Sequence, residues 1–159
     1  MVRRGLMLTY QQASEEEVVA FLELLREDAR DYLDQTIALM GETWEHFVEI
    51  SQQVGRVYEV AQDGHPAGYY WIEERGRELH LHGIVVKAEF RGQGIGTAIL
   101  ERLREEYAGR MDVIELGVHD SNGRAKALYE RMGFIIVRRV EELGFSVMQM
   151  EIKGKGERG

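Results

Sequence analysis

The sequence contains no cysteine, although it is 159 residues long. Disulfide bonds, thiolate metal sites and covalent intermediates on a cysteine are therefore excluded. It also lacks any stretch that approaches the ~18 consecutive apolar residues of a membrane-spanning helix. The first residues carry the charges of a signal peptide, but their apolar run ends too soon for one. These absences make a cytoplasmic protein without a membrane partner the first expectation.

Positive charge is also scarce, because 20 Lys and Arg face 28 Asp and Glu, which gives a formal net charge of −8. This balance argues against unaided binding of nucleic acid, and its long-range field favours cationic ligands such as amines. Solubility alone explains the charge equally well. The hydrophobic fraction of 44% is enough for one core. We expect one domain over residues 1–153 and a disordered tail over 154–159, which has no apolar anchor.

The first half of the chain predicts a strand, three helical segments and a hairpin. Ser14 and Glu17 form a capping box, which marks the start of the first helix. Asp63-Gly64 is a strong signal for a hairpin turn. The predicted elements are a strand over 6–10, a helix that begins after Ser14, helical segments over 31–40 and 42–54, and strands over 56–62 and 67–74.

The second half is built around an apolar strand that runs through a glycine-rich turn into a helix. The glycines, at every second position, are Gly92, Gly94 and Gly96, and the apolar stripe of the helix is Ile95, Ile99, Leu103 and Tyr107. A strand over 113–118 follows this helix, so a right-handed crossover would make it parallel to the first strand. Asn122 caps the next helix, and strands over 134–140 and 145–152 form a closing hairpin. We therefore expect a mixed sheet.

A glycine turn before a helix is a pattern of phosphate binding. Glycine lets the backbone approach a ligand closely, and the first N–H groups of a helix have no internal partners and can bind an anion. The absence of Gly-Lys-Ser/Thr excludes a P-loop. A dinucleotide-binding fold, with Asp112 or Glu115 on the ribose, is disfavoured because about ninety residues of another pattern precede the turn. A tight turn that binds nothing stays an alternative.

Two motifs, in their order and spacing, resemble one family. They are Arg91-x-x-Gly94-x-Gly96 after a strand and, later in the chain, Asn122-x-x-Ala125-x-x-x-Tyr129 with Gly133-Phe134. Together they resemble the GCN5-related N-acetyltransferases (GNAT), which use acetyl-CoA. The likeness is tightest over residues 80–134, but the whole order of elements fits. It implies an α/β (α+β) fold with a mixed, splayed central β-sheet flanked by helices.

The resemblance also implies a binding site for acetyl-CoA. The amides of the glycine turn would hold the pyrophosphate, the preceding strand would hydrogen-bond the pantetheine arm, and Gly83 would mark a bulge in that strand. The residues so implied are Ile84, Val85, Val86, Arg91, Gly92, Gln93, Gly94, Ile95, Gly96, Thr97 and Asn122. Tyr129 would lie near the sulfur and protonate the leaving thiolate. Since seven residues make nearly two helical turns, Asn122 and Tyr129 share a helix face about 10 Å apart, which suits an extended arm.

His80 and His82 are similar to the paired histidines on the same strand of arylalkylamine N-acetyltransferase. Residues i and i+2 of a strand face the same side about 7 Å apart, close enough to share a chain of waters. A primary amine must lose a proton before it attacks a thioester, and neutral imidazole suits that task. We predict a proton relay by this pair. Glu115 is the alternative base, His119 is a weaker candidate, and a purely structural role for the histidines also stays open.

The resulting prediction is an enzyme that transfers acetyl from acetyl-CoA to a primary amine by direct attack in a ternary complex. The acceptor would be a small-molecule or protein amine, no metal is expected, and a homodimer fits because dimers are common in such folds. The alternative is a non-catalytic acyl-CoA-binding regulatory module. Tyr129 and the histidine pair argue against that alternative, and turnover would distinguish the two.

Overall fold

A computed structural model describes residues 7–30 and 32–152. The strands in this part are β1 (Leu8–Gln12), β2 (Arg56–Gln62), β3 (His65–Arg75), β4 (Glu78–Val86), β5 (Val113–His119), β6 (Ile135–Val140) and β7 (Phe145–Glu151). They form one sheet in the order β1-β2-β3-β4-β5-β7-β6. Neighbouring strands are antiparallel except β4 and β5, which are parallel. The predicted mixed sheet is confirmed.

Five α-helices occur in the same described ranges. They are α1 (Glu15–Asp28), α2 (Leu33–Leu39), α3 (Trp44–Ser51), α4 (Ile95–Glu106) and α5 (Gly123–Met132). The predicted capping box at the start of α1 is present, since the Ser14 hydroxyl accepts from the Glu17 N–H and the Glu17 carboxylate accepts from the Ser14 N–H. Such a cap stabilises a helix by about 1 kcal/mol. Gly41, in the left-handed region at φ 77°, separates α2 from α3, between the two predicted helical segments.

The sheet separates two apolar clusters. On one face the stripe of α4 is fully buried, and α5 packs beside it with Tyr129 and its neighbours. On the other face Phe21 and Leu22 of α1 pack against Tyr69 and Trp71 of β3, with part of α3 at the edge. We call these the α4 face and the α1 face. Amphipathic helices on both faces explain why the central strands are apolar on both sides.

The parallel strands β4 and β5 are paired over only about half of their length. Their pairing runs only from Glu78 opposite Val113 to Leu81 opposite Leu116. Beyond that point β4 stays with β3 and β5 stays with β7, so a gap opens between them. The sheet is splayed, as the sequence resemblance implied.

A bulge lies in β4 where the gap begins. Trp71 of β3 is opposite Gly83, whereas the next residue of β3 is opposite Leu81, so His82 is the extra residue. A bulge shifts the alternation of the strand by one residue. Leu81 therefore belongs to the cluster on the α4 face, but after the bulge Ile84 packs there and Val85 is buried on the α1 face.

The remaining differences from the sequence prediction concern element ends. β1 begins and ends two residues later than the predicted strand over 6–10, and α3 ends at Ser51, before the predicted end at residue 54. The Val54 carbonyl instead accepts a 2.7 Å hydrogen bond from the Trp71 indole, which fixes the entry to β2. Leu6, Asp31 and the tail over 154–159 lie outside the described residues, so the tail and the domain bounds stay predictions.

Candidate active site

A cleft of about 470 Å³ lies beside the end of β4, beyond the point where its pairing with β5 stops. Its walls are the end of β4, the glycine turn, the first turn of α4 and one face of α5. All the residues predicted to bind the cofactor line it except Val85 and Gln93, and Tyr129 also lies in its wall. Val85 is buried against α1, and the Gln93 amide oxygen accepts a 3.0 Å hydrogen bond from Gln62.

The glycine turn is open toward the cleft. Gly92 and Gly94 have positive φ angles of 77° and 84°, and a Cβ added to either would meet nothing within 4 Å. Gly96 differs, because a Cβ there would lie 3.0 Å from the Leu128 side chain of α5. Gly92 and Gly94 thus supply the positive φ angles of the turn and leave open space beside it, whereas Gly96 allows the close packing of α4 against α5.

The first turn of α4 has no side-chain cap among the described residues. By contrast, Ser14, Thr43 and Asn122 cap α1, α3 and α5. The first intrahelical bond of α4 runs from the Ala98 N–H to the Gly94 carbonyl, which leaves the N–H groups before it free of helical partners. Free donors and the positive end of the helix dipole form a site for an anion such as a phosphate group.

The edge of β4 offers backbone groups to the same cleft. The Lys87 N–H donates to Ala67 of β3, and successive residues of a strand direct their hydrogen-bonding groups to alternate sides. The backbone N–H and C=O groups of Ile84 and Val86 therefore point away from β3, toward the side from which β5 has separated. Arg91 uses one of them, since its Nε donates to the Val86 carbonyl at 3.0 Å.

Arg91 spans the mouth of the cleft. Its guanidinium donates to the Asp28 carboxylate at the end of α1, at a distance of 2.7 Å, and both residues line the cleft. Arg91 thus brings a positive charge to the glycine turn, but this charge is paired with Asp28, so a bound anion would compete with that carboxylate.

Asn122 and Tyr129 lie on one face of α5, as their spacing predicts. The Asn122 side chain caps the helix by accepting from the Ala125 N–H at 3.2 Å. The Tyr129 ring is buried and packs against Phe134, with ring centroids 5.6 Å apart.

The Tyr129 hydroxyl forms no hydrogen bond with any residue in the described part of the chain. Burial raises its pKa well above the usual value, so the hydroxyl stays protonated throughout the physiological range. A protonated, unpartnered phenol in the wall of a cleft can donate to an anionic group placed there.

His80 and His82 lie together on the α1 face, with ring centroids 4.5 Å apart. The His82 ring stacks on Trp71 at 4.2 Å, and its Nε2 lies 2.9 Å from Oε1 of Glu73. Burial lowers the pKa of His82, against the opposing effect of Glu73. Burial lowers the pKa of His80 to about 4, helped by the charge of His82. Both imidazoles are therefore neutral at pH 7 and able to accept a proton.

Glu115 of β5 lies beside the two histidines. Its Oε1 lies 3.5 Å from the Nδ1 of His80, and its Oε2 accepts a 2.8 Å hydrogen bond from Gln149 of β7. The acidic residue in an apolar strand is thus explained, because it faces the part-exposed α1 face while its neighbours Ile114 and Leu116 are buried on the other. Glu115 remains an alternative base.

The low pKa of His80 predicts a pH-dependent stability. An unfolded histidine binds a proton near pH 6.5, whereas the folded His80 does so only near pH 4, so the free energy of unfolding should fall as pH falls between these values. Between pH 7 and pH 4.5, the free energy of unfolding of His80→Asn should fall by about 2 kcal/mol less than that of the parent protein. Urea unfolding at four pH values measures this difference, and parallel curves for the two proteins would contradict it.

His119 lies at the far end of β5, away from the other two histidines. Its ring stacks on Tyr32 with centroids 4.1 Å apart, and its Nδ1 lies 2.9 Å from the Ser121 hydroxyl. These contacts hold the loop after α1 against the end of β5. His46 of α3 is paired with Glu42, which precedes the helix.

Sequence reasoning missed three charged residues of the cleft wall. Arg124 and Arg131 of α5 line it, as does Asp28. The two arginines could have been found from their i, i+7 spacing on the helix that carries Asn122 and Tyr129. No sequence spacing pointed to Asp28, because only the tertiary fold brings the end of α1 to the glycine turn. With Arg91, the arginines give the cleft a positive lining in an acidic protein.

Within residues 7–30 and 32–152, no group of three or more histidine or acidic side chains converges so as to hold a metal ion. No helix in the same ranges has both the length and the apolar surface that crossing a membrane requires.

Comparisons with known proteins agree with this geometry. Residues 18–134 match the model of the acetyltransferase (GNAT) family. Thialysine N-epsilon-acetyltransferase of Bos taurus is 40% identical over 60 residues, which are 37% of this chain and 35% of that protein. The matched segments span 35% to 63% of the lengths of the first three curated relatives.

Solved structures match over nearly the whole chain. The ribosomal-protein-S18-alanine N-acetyltransferase from Escherichia coli superposes with a TM-score of 0.70 at 23% identity, over 96% of this chain and 99% of that one. The PaiA N-acetyltransferase from Thermoplasma acidophilum, solved in complex with coenzyme A, gives 0.62 at 19% identity, over 91% and 98%. These likenesses confirm the fold, while the closer resemblance to arylalkylamine N-acetyltransferase stays a prediction. The family model covers most of the chain and the splayed sheet bears its motifs in place, so this protein belongs to the GCN5-related N-acetyltransferase family.

Proposed function

We propose that the protein transfers the acetyl group of acetyl-CoA to a primary amine by direct attack in a ternary complex. The observation that carries the proposal is the cleft between the end of β4, the glycine turn and α5, with an open anion site at the turn and an unpartnered phenol in its wall among the described residues. Family membership and the coenzyme A complex of a structural neighbour support it.

The two ends of the cleft suit the two ends of the co-substrate. The free N–H groups of the first turn of α4 would bind the pyrophosphate, aided by Arg124 and Arg131. The backbone groups of Ile84 and Val86 would hold the pantetheine arm as an added strand would be held. When bound, acetyl-CoA supplies an activated acetyl group as a thioester.

Acid and base would act from opposite faces of the sheet. His82 lies on the α1 face, where it would take a proton from the amine, and Tyr129 lies on the α4 face, where it would donate to the leaving sulfur. The pairing of β4 with β5 ends at Leu81 opposite Leu116, next to His82, and we propose that the two faces communicate beyond that point. An acceptor could therefore approach from the α1 face without displacing the co-substrate.

A thiol-release screen tests the proposal directly. The protein is mixed with acetyl-CoA and a panel of amines that includes arylalkylamines, polyamines, aminoglycosides, amino acids and peptides with free N-termini. We expect release of the CoA thiol with at least one acceptor class. Binding of acetyl-CoA without thiol release from any amine would favour the non-catalytic acyl-CoA-binding module.

Gly94→Val should lower the affinity for acetyl-CoA at least about tenfold, or roughly 1.4 kcal/mol, because a branched side chain would block the anion site. Gly109→Val is the matched control. Gly109 also has a positive φ, 82°, and open space around it, but it lies after α4 and outside the cleft. Calorimetry should show the loss in the first variant alone. Equal affinities in two folded variants would refute the assignment of the turn.

We propose a small-molecule or protein amine as acceptor, a cytoplasmic location, no nucleic-acid or membrane partner, and a homodimer. The net charge of −8 supports the exclusion of nucleic acid.

A further inference from the structure

Glu73 of β3 holds His82 across the bulge. Its Oε1 lies 2.9 Å from Nε2 of His82 and also accepts from the Arg75 guanidinium at 2.8 Å. A second contact comes from Trp71, because the His82 imidazole is stacked on its ring. The side chains of His82 and Glu73 are only 17% and 26% exposed. The His82 ring is therefore fixed by a carboxylate on one side and an aromatic face on another.

This arrangement selects one form of the neutral imidazole. Burial alone would raise the pKa of Glu73, but the hydrogen bonds from His82 and Arg75 lower it, so the carboxylate is ionised at neutral pH. An ionised carboxylate accepts hydrogen bonds and donates none. The Nε2 of His82 must then carry the proton, and the lone pair of the ring is on Nδ1.

We propose that Glu73 is a positioning residue for acetyl transfer, which orients His82 with its Nδ1 lone pair free to take the proton of the amine. The inference rests on the proposed function. The N–H bond of the ammonium breaks, its electron pair stays on nitrogen for the attack, and a new Nδ1–H bond forms. The imidazolium so produced lies against the Glu73 carboxylate, which stabilises it until the proton passes to water.

Within residues 7–30 and 32–152, the charged and titratable groups near His82 lie on β3, β4 and β5. Glu73 and Arg75 face it from β3, His80 faces it from its own strand, and Glu115 of β5 acts through His80. From α1 and α3, the side chains at Trp71 are the apolar rings of Phe21 and Phe47. Among these groups Glu73 is the anion in direct contact with the imidazole, and removing its charge should make His82 a weaker base.

Glu73→Gln keeps the shape of the side chain and removes the charge. We expect kcat to fall about tenfold, the KM for acetyl-CoA to change by less than about twofold, and the ascending limb of the kcat/KM profile to move to lower pH. Glu73→Asp should restore part of the rate. Glu74→Gln is the matched control, because Glu74 is the next residue on β3 but pairs with Arg56 and Arg110, away from the histidines.

Nitrogen NMR of the histidines, in the protein without substrate, gives a readout independent of turnover. His82 should be in the Nε2–H form in the parent, and the Nδ1–H form should become populated in Glu73→Gln, because an amide can donate to an unprotonated Nε2. A parent His82 in the Nδ1–H form, or parent-like kcat and pH profile in Glu73→Gln, overturns the positioning role while acetyl transfer stands. A parent that releases no thiol with any amine overturns the proposed function, and the role of Glu73 in catalysis with it.

Discussion

Removing both histidines, in His80→Ala/His82→Ala, should lower kcat/KM for the amine by on the order of 10² or more, since loss of a general base typically costs 10² to 10⁴ in rate. Burial holds the pKa of both residues below the usual value, so the parent should show an ascending limb below pH 6.5. That limb should be displaced or lost in the double variant. Initial rates of thiol release from pH 5 to pH 9 measure both effects.

His65→Ala is the control for the histidine pair. His65 is exposed at the start of β3, beside the hairpin turn and remote from the gap. It should retain the parent rate and pH profile. If the double variant binds acetyl-CoA normally and also retains the parent rate and pH profile, then His80 and His82 have only a structural role. Glu115 would then be the base to test next, by Glu115→Gln.

Replacing Tyr129 by phenylalanine should lower kcat about tenfold or more, equivalent to about 1.4 kcal/mol or more of activation barrier. The ring and its packing on Phe134 remain, whereas the leaving thiolate loses its hydrogen-bond donor. The affinity for acetyl-CoA should be nearly unchanged. Because burial raises the pKa of Tyr129, its hydroxyl should cause no descending limb up to pH 9.

Tyr70→Phe provides the comparison for Tyr129→Phe. Tyr70 is also a buried tyrosine, its pKa is raised to about 12 by burial, and it lies in the core beneath α4 and outside the cleft. It should turn over at the parent rate. If Tyr129→Phe does the same from pH 6 to pH 9, with chemistry shown to be rate-limiting, then Tyr129 is not the acid.

The histidine pair illustrates what a sequence can and cannot predict about a site. The i, i+2 spacing placed His80 and His82 on one side of β4, and the rings are indeed together. The bulge was predicted at Gly83 and lies beside it, with His82 as the extra residue. No local sequence pattern predicted the contact between Glu73 and His82, because it depends on the register of β3 against the bulge.

The cleft shows the same division. The positions of Gly92, Gly94 and Tyr129 follow from local rules, namely a glycine turn before a helix and a helical repeat of seven residues. Val85 does not line the cleft because the bulge turns it to the other face. Asp28 does line it, because packing of α1 on the sheet brings the end of that helix to Arg91.

The sequence by itself determined the type and order of the elements, the mixed sheet and the family, because turn chemistry, capping and hydrophobic periodicity act over a few neighbouring residues. Only the tertiary structure decided where β4 and β5 part, which partners set the pKa values of the histidines, and that the Tyr129 hydroxyl has no partner among the described residues. The physical reason is that register, burial and ion pairing depend on residues far apart in the chain. Here they depend on β3, β5 and α1, all of which meet at β4.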